Sequence, residues 1–116
     1  MAIQDLGAEE LRRRLREQPD RLEIVDVRQP AEFATVHIRG SRLIPLDQLE
    51  SRWGEIDWSK EVVFVCRSGS RSRLTAQVAS ASGRDVGNLR FGIFECYRDG
   101  KGEFLEGSLG GAERYF

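Results

Sequence analysis

Cys66 opens the stretch CRSGSRS, residues 66–72, directly after the apolar run EVVFV. A cysteine closing a buried run is ordinarily a small hydrophobe. The segment after Cys66, however, is polar, basic and glycine-containing, and it passes into a helical pattern. The first N–H groups of a helix have no internal partner, and the helix dipole favours negative charge beside them. Gly69 lets the backbone curl without a side-chain clash. The amides of this loop are therefore expected to close into a cup for an anion. Arg67 and Arg71 add positive charge at its rim. Ser68, Ser70 and Ser72 carry hydroxyl donors, and Ser72 is also placed to support the helix start. A thiol in that setting is expected to ionise easily and be largely thiolate, a nucleophile suited to an anionic substrate or a charged intermediate. The alternative is a buried strand-end cysteine before an ordinary loop.

The whole chain adds little charge bias to this local one. Its 116 residues suit one domain, with 40% apolar and 32% charged residues and a formal net charge of −1. Nothing global points to nucleic acid or a membrane, so attraction for anions must be local. Lys60 and Lys101 are the only lysines among eighteen basic residues, and arginine suits bidentate anion contacts. Two cysteines thirty positions apart make no disulfide framework and fit a reducing compartment or a reactive thiol. The N-terminus lacks a basic start followed by an apolar block, so the expected location is cytoplasmic.

The elements that must position Cys66 emerge from periodicity. Residues 8–17 carry Leu11 and Leu15 on a charged background and read as a surface helix ended by Pro19. Residues 22–27 read as a strand. Residues 43–46 are extended, because Pro45 disfavours helix at Ile44, and Asp47 is expected to cap a short helix through Trp53. Residues 61–65 read as a strand buried on both faces. Residues 70–82 carry Leu74, Val78 and Ala81 at helical spacing, with Gly83 as the stop. Residues 86–89 read as a further short strand. Alternation of this kind predicts an α/β domain with a mostly parallel sheet between helices. Cys66 then lies at the carboxyl end of a strand, where such sheets bind ligands. The domain is expected over residues 1–106. Gly107, Gly110 and Gly111 mark residues 107–116 as a flexible or loosely docked tail.

The loop resembles the active-site loop of single-domain rhodaneses, the thiosulfate sulfurtransferase family. Three further segments resemble that family in the same order: IVDVRQPAEF at 24–33, HIRGSRLIPL at 37–46 and NLRFGIF at 88–94. The resemblance spans roughly residues 3–100 and is more specific than one loop motif. It implies a three-layer rhodanese-like domain with a five-stranded parallel sheet. It also implies that Cys66 carries a persulfide, loaded from thiosulfate or another sulfane donor and unloaded to a thiol, cyanide or a protein cysteine. No cofactor and no metal are implied, and a monomer or weak dimer is expected. Phe91 stands where the family usually has the first of two glycines. Cys96 stands near the place of an aromatic, with Tyr97 adjacent.

Two other functions compete. Cysteine-dependent phosphatases and arsenate reductases on a related fold use five residues between cysteine and arginine. Here four separate Cys66 from Arg71, which leaves less room for a tetrahedral oxyanion. A noncatalytic docking module usually lacks the cysteine, which is present here. Asp26, Arg28 and Glu32 are read as a charged network fixing the loop after the second strand. His37 reads as a structural turn residue and Cys96 as a helix-face residue, with a resolving cysteine as its alternative. Trp53, Trp58 and Phe64 read as core or its rim. Phe91, Phe94 and Tyr97 are candidates for an apolar mouth, and the arginines of LRRRLR at 11–16 read as a solvated helix face.

Overall fold

The computed structural model describes residues 2–98 and 104–107. Five strands form one parallel sheet: β1 (Ile3–Leu6), β2 (Leu22–Asp26), β4 (Arg42–Leu43), β5 (Glu61–Val65) and β6 (Val86–Leu89), in the order β1-β6-β5-β2-β4. The helices are α1 (Ala8–Glu17), α2 (Pro30–Thr35), α3 (Leu49–Arg52), α4 (Ser70–Ala81) and α5 (Gly92–Arg98). A second, antiparallel ladder joins β3 (His37–Ile38) to β7 (Leu105–Glu106).

Alternation along the strands divides the core in two. Ile24, Val63, Val65 and Leu89 face one cluster with Leu11 of α1 and Ile93 and Cys96 of α5. Val25, Val62, Phe64 and Val86 face the other, with Leu49 of α3 and Ala76 and Ala79 of α4. β5 therefore has both faces covered, as its unbroken apolar sequence requires. Trp53 and Trp58 pack at the edge of the second cluster against Phe64, their rings 4.9 Å apart.

Two expectations fail locally. α4 does not bury Leu74, Val78 and Ala81. Leu74 and Val78 are 58% and 57% exposed, and the buried face is Ser72, Thr75, Ala76 and Ala79. Small side chains let this helix lie close on β5 and β6, while its bulky residues turn outward. Asp47 caps no helix; it lies within a 3-10 turn, Leu46–Gln48, with no side-chain cap ahead of α3. The Gly83 stop holds: its φ is +89°, and Arg84 N–H donates to Ala79 O across it. Leu105 and Glu106 are held in the ladder with β3, and Gly107 lies close over the carbonyls of Ala34 and Thr35. The rest of the expected tail, 108–116, lies outside the described residues.

Candidate active site

Two glycines lock the Cys66 loop to the segment after β6. Gly69, at φ +101°, approaches so closely that a Cβ there would lie 2.0 Å from Arg90 O. Gly92, at φ +68°, approaches from the other side; its Cβ would lie 2.2 Å from Arg67 O and 2.6 Å from Cys66 O. No side chain other than hydrogen fits either position. The first amides of α5 then cap the loop carbonyls, Ile93 N–H donating to Cys66 O and Phe94 N–H to Arg67 O, both at 3.0 Å. Phe91, where the resemblance led to the expectation of a glycine, is half exposed and has no positive φ. The backbone requirement sits at Gly92, so the departure at Phe91 leaves the interlock intact.

Cys66 lies one residue past β5 and is fully buried. Its sulfur receives Gly69 N–H at 3.1 Å and Ser72 N–H at 3.4 Å, and Ser72 Oγ lies 3.4 Å away. These amides belong to the start of α4, where unpaired N–H groups and the helix dipole combine. The loop residues divide by depth. Gly69 and Ser72 form the buried floor, while Arg67, Ser68 and Ser70 are exposed around it.

Arg71 is not a bare charge at the rim. Its guanidinium meets the Glu32 carboxylate with both nitrogens, each at 2.9 Å. Glu32 also accepts Gln29 N–H at 3.1 Å in the capping box that starts α2. This carboxylate thus fastens α2 to α4 beside the loop. Asp26 and Arg28 form a separate pair, both fully buried. Arg28 Nη2 donates to Asp26 at 2.8 Å and to Val36 O at 2.6 Å, and Asp26 Oδ1 also accepts Arg28 N–H at 3.0 Å. The pair fixes the turn after β2 and ties it to the end of α2.

Asn88 and Asp5 are not among the residues expected from sequence, yet they belong to the site. Asn88 is buried on β6, within 2.6 Å of Ser72 Oγ on one side and 3.2 Å of Asp5 on the other. Their signal in the sequence is a polar residue inside each of two short strands, Asp5 in IQDL and Asn88 in VGNL, both bonded to side chains of α4.

The remaining candidates sort by location. Cys96 packs in the core cluster on the face of the sheet opposite Cys66. Tyr97 packs against that same cluster, which removes it from any mouth around Cys66. The rings of Phe91 and Phe94 carry the guanidinium groups of Arg90 and Arg98, at 4.6 and 5.9 Å. His37 stacks on Phe33 at 3.9 Å; its Nδ1 is bonded to Phe33 O and its Nε2 to Glu106, a structural pairing. In α1, Arg12, Arg13 and Arg14 pair with Glu9, Glu10, Glu17 and Glu61. Among the described residues no cluster of His, Cys, Asp and Glu has the makings of a metal site, and no helix is long and apolar enough to cross a membrane. A cavity of about 410 Å³ between α1 and Phe104 is lined by Arg12, Leu15, Leu22 and Ile24. Leu22 starts β2, so the cavity is at the other end of the strands from Cys66.

An α/β domain with a buried cysteine cupped by amides at a strand end defines a class, and the comparisons agree with it. The chain matches the Rhodanese-like domain family over residues 7–99 and belongs to that family. It is 35% identical over 99 residues to a sulfurtransferase of Allochromatium vinosum, a match covering 84% of this chain and 92% of that one. It is 34% identical over 94 residues to the thiosulfate:glutathione sulfurtransferase of Saccharomyces cerevisiae, covering 70% and 68%. Another relative, from Bacillus subtilis, is matched over only 57% of its own length. Among solved structures, a rhodanese-like domain protein of Staphylococcus aureus superposes with a TM-score of 0.75 at 28% identity, covering 90% of this chain and 97% of that one.

Proposed function

We propose that this protein is a sulfurtransferase that carries a sulfane sulfur on Cys66, taking it from a small anionic donor such as thiosulfate and passing it to a thiol. The observation that supports this most is the pair of amides, Gly69 and Ser72, directed at the Cys66 sulfur.

In the first half-reaction the Cys66 thiolate attacks the outer sulfur of thiosulfate. A new S–S bond forms, the old one breaks, and its electron pair leaves with sulfite. Arg67, exposed on the loop, and Arg71, oriented by Glu32, supply positive charge for the sulfonate end. In the second half-reaction an acceptor thiolate attacks the outer sulfur, and the electron pair of the breaking bond returns to Cys66. The amide cup serves both halves, since negative charge is on a sulfur in each. Ser68 and Ser70 line the entrance. Asp26 with Arg28, and Glu32 with Arg71, hold the two loops that frame it.

The name of the yeast relative, a thiosulfate:glutathione sulfurtransferase, supports thiosulfate as donor and a low-molecular-weight thiol as acceptor. The scheme itself calls on no metal or cofactor, since the thiolate, the amides and the arginines supply its chemistry, and a reactive thiol suits a reducing compartment, the cytoplasm. Initial rates measured against thiosulfate at several fixed acceptor concentrations test the scheme. A carried sulfur gives parallel reciprocal plots, with sulfite as an inhibiting product. Intersecting plots, or no turnover with any sulfane donor, would refute it.

A further inference from the structure

The polar chain that ends on Cys66 has a direction. The parallel register of β1 and β6 sets Asp5 beside Asn88. Asp5 also meets Arg73 Nη1 through both oxygens, at 2.6 and 2.5 Å. Burial pushes its carboxyl up, but the Asn88 and Arg73 hydrogen bonds outweigh this and hold it below the ordinary 3.8. Asp5 is therefore ionised and only accepts. The Asn88 group facing it at 3.2 Å must be the NH2. The amide oxygen then faces Ser72 Oγ at 2.6 Å. It too only accepts, so the Ser72 hydroxyl donates to it. A hydroxyl has one proton. Gly69 O at 3.2 Å and Cys66 Sγ at 3.4 Å do not receive it.

We propose that Asn88 is a positioning residue for Cys66: it holds the Ser72 proton away from the sulfur. The neutral thiol then donates into the Ser72 oxygen, and every donor in the chain points from the sulfur toward Asp5. When the sulfur is ionised, its charge rests on the Gly69 and Ser72 amides without the hydroxyl. For the hydroxyl to turn to the thiolate, Asn88 would lose its partner in a buried site, a costly exchange. The consequence is chemical. A thiolate given one more hydrogen bond is more populated but less nucleophilic, so Asn88 preserves the reactivity of the sulfur that must attack the donor. This rests on the proposed role of Cys66 as the reacting group.

Asn88→Leu tests it, because leucine has a similar shape and cannot accept. The charged groups on the elements around the thiol are Asp5 of β1, Asp26 with Arg28 at β2, Glu32 of α2, Arg71 and Arg73 of α4, and Arg67 and Arg90 in the loops. The substitution removes none of these charges; Asp5 loses the Asn88 hydrogen bond but keeps both contacts with Arg73. The readout is the pH titration of ultraviolet thiolate absorbance, in a Cys96→Ser background so that one thiol reports. Freed to donate to the thiolate, Ser72 should move the midpoint about one unit toward acid, or about tenfold more thiolate at a given pH below it. An added apolar group alone moves a thiol the other way. The shift should vanish when Ser72→Ala is also present. An unmoved or alkaline midpoint, or a shift that survives Ser72→Ala, would overturn the proposal.

Should Asn88→Leu fail to fold, Asp5→Asn replaces it, since it leaves the direction of the Asn88 amide unset. The lost charge of Asp5 gives an acid shift that persists with Ser72→Ala, whereas the shift from a released hydroxyl does not. Equal shifts with and without the Ser72 hydroxyl would overturn the proposal. The titration needs no sulfur donor. A wild-type protein that never loads sulfur refutes the sulfurtransferase reading, while the titration still decides the role of Asn88.

Discussion

Cys66 and Cys96 are both fully buried and neither is in a disulfide, and what separates them is the backbone around each. Cys96 lies mid-helix in α5, where backbone N–H groups are spent on the helix itself, and it packs among Leu6, Leu11 and Ile93. Cys66 lies between a strand end and a helix start, where amides remain to be directed at the sulfur. The first environment treats sulfur as a hydrophobe, and the second treats it as an anion. Burial alone would have ranked the two alike.

The sharpest way to break this contrast is to remove the supports on the Cys66 side. Asp26→Ala leaves Arg28 charged and fully buried without its carboxylate. Losing one partner of such a pair costs about 3–5 kcal/mol. Chemical denaturation should report that loss, and an effect under about 1 kcal/mol would mean that the pair does not hold the turn after β2.

Gly69→Ala comes next. Its Cβ would meet Arg90 O at 2.0 Å, so the loop must shift. A displacement of about 1 Å at a reacting group costs ~100-fold in rate. Turnover with thiosulfate should fall by that order, while Phe91→Gly, at an exposed position without positive φ, should change it less than about threefold. Equal effects at the two positions would contradict the interlock.

Much of the Cys66 side was legible in the sequence, because its signals are local. The run at 61–65, the glycine-bearing loop and the Gly83 stop each act within a few residues, and each is found where its chemistry puts it. The β3–β7 ladder was not legible: each strand is two residues long, and the pairing spans most of the chain. β1, Ile-Gln-Asp-Leu, is too short to show a period. The outward turn of Leu74 and Val78 was hidden for a different reason. Helical spacing says which residues share a face, not which face the sheet accepts, and here close approach favoured alanine, serine and threonine. Asn88 escaped because its two partners, Ser72 and Asp5, come from distant parts of the chain.

Smaller effects probe the Cys96 side. Cys96→Ser places a more polar side chain in an apolar cluster and should destabilise by about 1 kcal/mol, with turnover per folded molecule unchanged. Loss of release to a thiol acceptor would make Cys96 a resolving cysteine instead.

The smallest expected effect lies on the surface of α1, which covers that cluster. Hydrogen bonds from Arg13 and then Arg14 pull the Glu10 carboxyl from 4.5 to about 2. A carboxyl lowered on folding stabilises fully above its unfolded value, and the gain is lost as pH falls from about 4.5 toward 2. Glu10 is partly open to solvent, so the gain is screened and modest. Glu10→Gln should lower the Tm slightly at neutral pH, and the difference from wild type should close across that acid window. A gap that stays constant would show that the pairs with Arg13 and Arg14 contribute nothing in solution.

Where the sulfur goes separates the two thiols most directly. The protein is incubated with thiosulfate, its intact mass is measured, and the modified peptide is located. A gain of one sulfur atom on Cys66, removed by cyanide or a thiol, absent from Cys66→Ser and retained in Cys96→Ser, is the predicted result. Sulfur loaded on Cys66→Ser, or found on Cys96 in the wild type, would contradict it.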